Sequence, residues 1–421
     1  MQGIGGAGMR GLALLLAAQG HRIMGTDFDF DKITHDPSLQ AYQLVPEHQA
    51  EDLLLQADAM IYSDAVPDTH PLRRLAANHN LAQATLFTAI GKFAQIFRTI
   101  AVAGTHGKSS TTAFIGHILT SAGLDPTVLV GAEVLAWKHN ARVGKGEYFV
   151  VEADEYRQHF LSLQPEVLVI TTVDFDHPDY FHSLMEVQAS YAQLLMQVKP
   201  HGIVVTSQRV YEEQTSLPWP HDTLLVPPLH KLLPLTLPGK HMQDNAALAL
   251  AVAQKLGIDT DVARAALASF PGLSRRFEKI GKIGSLQVIS DYGHHPTEIA
   301  ATIAAAREVY PKGRLLVLVE PHTTQRLSAF FTQFVTTLAA APIEGLVICP
   351  TFCAPGREKE SATSSRELYE ALRHKRTPIW YAATYRAAVE LMKTLAADFD
   401  VALAFSAGLL DTHLRQLKDH S

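Results

Sequence analysis

Three consecutive α/β domains are the fold that this sequence predicts, on three observations. At 421 residues the chain is too long for one ordinary hydrophobic core, so two or three domains are expected. Short apolar runs alternate with helix-length amphipathic stretches throughout, the pattern of mainly parallel sheets covered by helices. Two glycine-rich segments sit where a strand should hand over to a helix. Hydrophobic residues make up 47% and charged residues 19%, a balance that suits a folded globular chain rather than a disordered one.

The first block, residues 1–98, opens with Gly3-Ile4-Gly5-Gly6-Ala7-Gly8, followed by a helical stretch to Gln19. A strand over 21–26 ends at Asp27, and another is expected over 59–63. Such a loop turns tightly and brings the backbone to a diphosphate at a helix N-terminus, with Asp27 placed to meet a ribose or a uracil. The pattern alone equally serves a nicotinamide dinucleotide, or simple packing of a helix on a sheet. A loop of this type should follow a buried strand, yet only Met1 and Gln2 precede it. Either the chain lacks most of that strand or its true start lies upstream.

The second block, 99–272, begins with a strand over 99–103 that runs into Gly104-Thr105-His106-Gly107-Lys108-Ser109 and a helix to about Ala122. Backbone N–H groups and the helix dipole there can cradle phosphates, Lys108 can reach the terminal ones, and the Ser109 hydroxyl can ligate Mg²⁺. The segment is one residue shorter than the standard Walker A spacing. A strand over 148–152 ends in Glu152-Ala153-Asp154-Glu155, and one over 167–173 leads to Asp174-Phe175-Asp176-His177. Carboxylates and an imidazole at strand ends converge on the phosphate crevice, where hard oxygen ligands suit Mg²⁺; either cluster alone also reads as a solvated loop. The Pro-rich stretch 217–238 is expected to be irregular.

The third block, 273–421, carries strands over 286–290, 314–319, 345–349 and 401–405. Ser290-Asp291-Tyr292-Gly293-His294-His295-Pro296-Thr297-Glu298 follows the first of these and opens a helix, with Thr297 expected as its N-cap. The paired histidines lack a third ligand at a zinc-like spacing. Arg275 and Arg276 are permanent cations suited to phosphate oxygens, or else exposed linker residues.

The composition excludes several classes of function. A net charge of −6, with no basic stretch, leaves no electrostatic footprint for nucleic acid, so an anionic substrate would need local cations, backbone amides or metal. Cys349 and Cys353 alone make no disulfide framework, which points to the reducing cytosol. No run of about 18 apolar residues suggests a membrane span. Oligomeric state is not legible.

The segments GIGGAGM, AGTHGKSSTT, VVEADEY, DFDH, PGKHMQDNAA, GLSRRFE, SDYGHHPTEI and EPHTTQR, in this order, resemble the Mur ligase family across nearly the whole chain. The resemblance implies a Rossmann-like UDP-binding domain, a central P-loop ATPase domain and a Rossmann-like C-terminal ligase domain. It implies that ATP phosphorylates the carboxylate of UDP-N-acetylmuramic acid, and that the amine of an amino acid, L-alanine, attacks the acyl phosphate. By resemblance Gly5, Gly6, Ala7, Gly8, Asp27 and Ser63 face the UDP-sugar, and Gly104, Thr105, His106, Gly107, Lys108, Ser109 and Ser110 hold ATP phosphates. Ser109, Glu155 and His177 would hold Mg²⁺, Asn245 the adenine side, Arg276 the phosphates and Asp291 the ATP ribose. His294, His322 and Arg326 match substrate-facing positions.

The chain departs from the family pattern at several places. A His-Asn pair reads His241-Met242, and a His-Arg-Tyr run reads His322-Thr323-Thr324, which removes an arginine expected near the amino acid carboxylate. A glycine-aspartate strand ending reads Ser406-Ala407-Gly408-Leu409. That ending, with Glu320-Pro321, leans toward a sister activity that attaches a recycled murein tripeptide to the same UDP-sugar. Two other classes stay open: a nucleotide-binding relative without ligase activity, and a nicotinamide oxidoreductase resting on Gly3 to Asp27 alone.

Overall fold

The structure, a computed structural model, describes residues 1–353, 363–375 and 377–416. The chain forms two compact units. One holds Met1–Asp174, Leu184–Pro234 and Asp244–Pro271; the other holds Phe175–Ser183, Leu235–Gln243 and the chain from Gly272 onward.

The first unit contains the first block and a seven-stranded sheet. In the first block, Met24–Gly25 pairs in parallel with Gln43–Leu44, and Ala59–Tyr62 with Ala82–Thr85. Gln2 joins the two ribbons, bridging Thr26 on one side and Tyr62 on the other. Its N–H donates to the Ile61 carbonyl at 2.8 Å, and the Ser63 N–H donates to the Gln2 carbonyl at 3.0 Å. The expected strand over 21–26 is therefore short, because its outer partner offers only Gln43 and Leu44 for pairing. A cavity of about 420 Å³, lined by Met1, Ile23, Ala57, Ala59, Met60 and Leu72 among others, lies beside this bridge. The Met1 nitrogen lies beside this cavity and donates to the Met24 carbonyl at 2.6 Å.

The seven-stranded sheet runs Leu224–Val226, Ile203–Ser207, Val167–Ile170, Arg98–Ala103, Tyr148–Glu152, Thr127–Val134, His139–Arg142. All pairs are parallel except the last. Residues 99–103 are buried on both faces, as a central parallel strand requires. From this strand the chain winds outward first to one side and then to the other, so a crevice opens at the carboxyl ends of Ala103, Glu152 and Ile170. The strand expected to reach residue 173 stops at Ile170, because Thr171 and Thr172 turn to bond the glycine loop. The Pro-rich stretch is irregular but contains the edge strand Leu224–Val226.

The second unit is built on a six-stranded sheet in the order Glu278–Ile283, Leu286–Asp291, Val401–Phe405, Leu315–Val319, Gly345–Ile348, Ile379–Tyr381. Only the first pair is antiparallel. Alternate residues feed two cores: Ile289, Val317 and Leu403 pack with Ile303 and Phe334 on one face, and Val288, Leu316 and Ala402 with Val389 and Met392 on the other. Helix Pro296–Val309 starts earlier than the sequence suggests. Its cap is His295, not Thr297: the imidazole Nδ1 accepts from the Thr297 N–H at 3.3 Å, Pro296 fills the first helical position, and Glu298 reaches back to complete a capping box. Among the described residues no helix is long and apolar enough to cross a membrane.

Candidate functional site

The residues singled out from the sequence fall into two constellations, one in each unit. The first unit holds both glycine loops, Asp27, Ser63, Glu155 and Asn245; the second holds His177, Arg276, Asp291, His294, His322 and Arg326.

In the first glycine loop, helix Ala7–Ala18 begins at Gly6 with no side-chain cap, which leaves its leading N–H groups available to an anion. The Asp27 carboxylate closes the loop from beneath, accepting from Gly5 N–H at 2.8 Å and Asp29 N–H at 3.2 Å. Ser63 lies beside Gly3, where an added Cβ would come within 2.9 Å of the serine Cβ.

The second loop follows strand Arg98–Ala103. Gly104 has φ +141°, and a Cβ there would overlap the Thr171 hydroxyl at 1.8 Å, so glycine is required for the approach. Gly107 has φ +82°, and its missing Cβ leaves room for the Asn245 side-chain oxygen 2.4 Å from that position. Thr171 and Thr172 pin the loop: His106 N–H donates to Thr172 Oγ1 at 2.9 Å, and Thr105 N–H to the Thr172 carbonyl at 3.0 Å. Asn245 thereby meets the phosphate loop from more than a hundred residues away, on helix Lys240–Lys255. Ser109 and Ser110 are buried in the first turn of helix Lys108–Ser121.

Lys108 folds over this loop. Its Nζ donates to the Gly104 carbonyl at 2.6 Å and to the Glu155 carboxylate at 2.7 and 3.1 Å. Burial opposes the ammonium charge, but Glu155, Asp154 and Glu152 outweigh it and raise the pKa above that of an ordinary lysine. Asp154 and Glu155 can bring carboxylate oxygens within 4.8 Å of each other. Glu152 is tied elsewhere, accepting from Gly131 N–H at 2.6 Å. A buried cation, hydroxyl groups at a helix start and hard carboxylate oxygens fit a nucleotide triphosphate with Mg²⁺.

In the second unit Asp291 is buried and accepts from Phe277 N–H at 2.9 Å and Gly293 N–H at 2.8 Å. Burial raises its pKa, against the pull of Arg276 and those two N–H groups. The guanidinium groups of Arg275 and Arg276 lie 4.8 and 5.1 Å from the Tyr292 ring centroid. Among the described residues the buried Nε of Arg276 has no hydrogen-bond partner.

Arg326 is 5% exposed and grips Asp176 as a fork, Nε to Oδ1 at 2.9 Å and Nη2 to Oδ2 at 3.1 Å. Its Nη1 lies 2.7 Å from His322 Nδ1, which must accept, so the His322 proton sits on Nε2. His322 stacks on Phe352 at 5.4 Å and faces His294 at 5.2 Å. His294 Nδ1 lies 3.1 Å from the Tyr292 carbonyl and so donates to it. Burial, then repulsion from Arg326, lowers its pKa to about 4. His177, with φ +54°, follows Asp176, whose Oδ1 accepts the His177 N–H at 2.7 Å.

The sequence reading missed Asp176 as the counter-ion of Arg326, because the two lie 150 positions apart. Two departures from the family pattern explain themselves together. The Glu320 carboxylate accepts from the Ser406 hydroxyl and from the N–H groups of Gly408 (3.2 Å) and Leu409 (2.9 Å), filling the strand ending that lacks an aspartate. Thr323, with φ +61°, caps helix Thr324–Ala329 through its hydroxyl, which accepts from Arg326 N–H at 3.3 Å.

Comparison with known proteins gives matches along most of the chain. Residues 1–98 match the family model described as Mur ligase family, catalytic domain; 102–219 match Mur ligase middle domain; and 275–408 match Mur ligase, glutamate ligase domain. A UDP-N-acetylmuramate–L-alanine ligase of Caldanaerobacter subterraneus is 32% identical, over 96% of this chain and 94% of its own length. One of a Synechococcus species is 33% identical, over 98% and 90%. Among solved structures, the UDP-N-acetylmuramate–alanine ligase of Thermotoga maritima aligns with a TM-score of 0.78 at 22% identity, over 99% of this chain and 97% of its own. A murein peptide ligase of Psychrobacter arcticus aligns with a TM-score of 0.70 at 21% identity, with the same coverages.

Proposed function

The chain belongs to the Mur ligase family, and we propose that it joins L-alanine to the carboxylate of UDP-N-acetylmuramic acid at the expense of ATP, in the cytoplasm, for peptidoglycan precursor synthesis. The observation that carries this reading is Lys108, charged and held by Glu155 over a glycine loop at the end of a central parallel strand. Residues 1–98 are assigned to the UDP-sugar, 99–272 to ATP and 273–421 to the ligation step.

A carboxylate is a poor electrophile, and phosphorylation supplies it with a leaving group. The muramoyl carboxylate oxygen attacks the γ-phosphorus, and ADP departs. The amine then attacks the acyl carbon, and the tetrahedral adduct loses phosphate to leave the amide. In this scheme Lys108 offsets charge on the transferred group, and the N–H groups of Gly104 to Ser110 orient the nucleotide. Asn245 lies on the adenine side, and Arg276 and Asp291 are assigned to the phosphates and the ribose. Gly5, Gly6, Ala7, Gly8, Asp27 and Ser63 are assigned to the UDP-sugar. Ser109, Glu155 and His177 would hold Mg²⁺, which when bound neutralises phosphate charge. Glu155→Gln is accordingly expected to raise the Mg²⁺ concentration needed for half-maximal rate, read from a metal titration of turnover; an unchanged titration would remove Glu155 from the metal site.

The amine is tested by phosphate release from ATP with UDP-N-acetylmuramic acid and a panel of amines. Release with L-alanine supports the reading, and release only with the murein tripeptide supports the sister activity, which Glu320-Pro321 and Ser406-Ala407-Gly408-Leu409 resemble in sequence. Thr323 stands where an arginine would meet the amino acid carboxylate, and a lost charge-assisted hydrogen bond is worth about 1.5–3 kcal/mol. Thr323→Arg should therefore lower the KM for L-alanine about tenfold or more, while the lost helix cap costs about 1 kcal/mol of stability. A low-micromolar wild-type KM, not improved by the substitution, would show that Thr323 is not the deficit.

A further inference from the structure

The turn Tyr156–Ser162 leaves helical geometry at Arg157 and Gln158, whose φ angles are +50° and +60°. Neither is glycine, and two successive left-handed residues persist only where the surroundings fix them. Phe160 N–H donates to the Asp154 carbonyl and Gln158 N–H to the Glu155 carbonyl, both at 2.9 Å, and Tyr156 N–H reaches Asp154 Oδ1 at 3.1 Å. Phe160 is anchored in the core against Tyr191, with ring centroids 5.3 Å apart. The segment 154–160 is thus one closed loop that carries Glu155 near its start and delivers His159 near its end.

His159 arrives among groups of the first block. Its ring lies flat on Phe87, centroids 3.7 Å apart and planes within 10°. Its Nε2 forms an ion pair with Asp64, and its Nδ1 lies 3.5 Å from Asp154 Oδ2. Burial works against the imidazolium, but Asp154 and Asp64 prevail and raise its pKa. Asp64 follows Ser63, whose own N–H is bonded to the Gln2 carbonyl beside the first glycine loop. Packing alone would be served by any flat apolar ring on Phe87; a ring with a carboxylate near each nitrogen does more.

We propose that His159 is a positioning residue that couples the Ser63-Asp64 loop, next to the first glycine loop, to the Asp154-Glu155 loop that holds Lys108. Events at the sugar-nucleotide side thereby set the carboxylate geometry at the phosphate side. The identity of the two substrates rests on the proposed function; the coupling rests on the contacts of His159.

The full chain carrying His159→Phe, which keeps the stack, is compared with His159→Gln, Asp64→Asn and the Asp64→Asn/His159→Phe pair. Expected for His159→Phe are a KM for UDP-N-acetylmuramic acid raised and a kcat lowered, each about tenfold, with the KM for ATP within about twofold. His159→Gln, whose amide N–H can donate toward Asp64, should recover part of each, and the double variant should be no worse than His159→Phe. A kcat that falls only with the folded fraction at unchanged KM, or single effects that multiply in the double variant, overturns the proposal. A second readout needs no turnover: Asp64→Asn should speed amide hydrogen exchange over 154–160, some ninety positions away in the chain, and an unchanged rate there also overturns it. A wild-type protein inactive with every amine would sink the proposed function instead, and the exchange measurement would still decide the coupling.

Discussion

Lys108→Ala is expected to lower kcat by at least about 10³-fold, with the chain still folding cooperatively. Lys108 Nζ is hydrogen-bonded to the Glu155 carboxylate, so removing it also takes a close counter-charge from a group that is 2% exposed. Breaking a buried pair in this way costs about 3–5 kcal/mol at neutral pH. Loss of activity and loss of stability are separable, because Lys108→Ala/Glu155→Gln replaces that carboxylate by a neutral amide. That double variant should regain most of the stability in urea denaturation and none of the turnover. Near-normal ligation by a folded Lys108→Ala protein would remove the central claim.

How much of this was legible in the sequence depends on how local each cause is. The glycine loop at 104–109 announces itself, because the strand, the turn and the helix start are contiguous, and strands Tyr148–Glu152 and Val401–Phe405 lie where their apolar runs place them. Local rules go wrong by small steps where a neighbour decides. The strand over 21–26 shrinks because its partner Gln43–Leu44 is short, and the cap of helix Pro296–Val309 moves to His295 because an imidazole nitrogen can take the place of a hydroxyl. What cannot be read locally are pairs across the chain. Asn245 against Gly107, Asp64 with His159, Glu320 with Ser406 and Asp176 with Arg326 are each set by the topology, and no spacing in the sequence encodes them. The helix cap made by the Thr323 hydroxyl is a further role that the family pattern did not reveal.

Arg326→Ala is the second substitution with a large expected effect, and the pH dependence of stability makes it diagnostic. Asp176 would lose its bidentate partner while buried, again at a cost of about 3–5 kcal/mol. Asp176 is held well below the usual carboxylate range: burial alone would raise its pKa, but the attraction of Arg326 prevails. Its contribution is therefore constant above the ordinary aspartate pKa and fades only in stronger acid. His294 acts in a different window. Buried and neutral in the fold, with a pKa lowered to about 4, it takes a proton in the unfolded chain from about pH 6.5 downward. Stability should consequently decline as the pH falls from 6.5 to 4, by roughly 3 kcal/mol, without help from Asp176. His294→Asn should flatten that slope. Arg326→Ala should shrink it too, because burial stays but the repelling cation is gone, while Asp176 and Glu298 still favour the imidazolium and let it form at higher pH. Urea midpoints at pH 7, 5.5 and 4 for the three proteins decide the matter. A slope that survives undiminished in both variants would mean that another group titrates there and that His294 is not held neutral by this cluster.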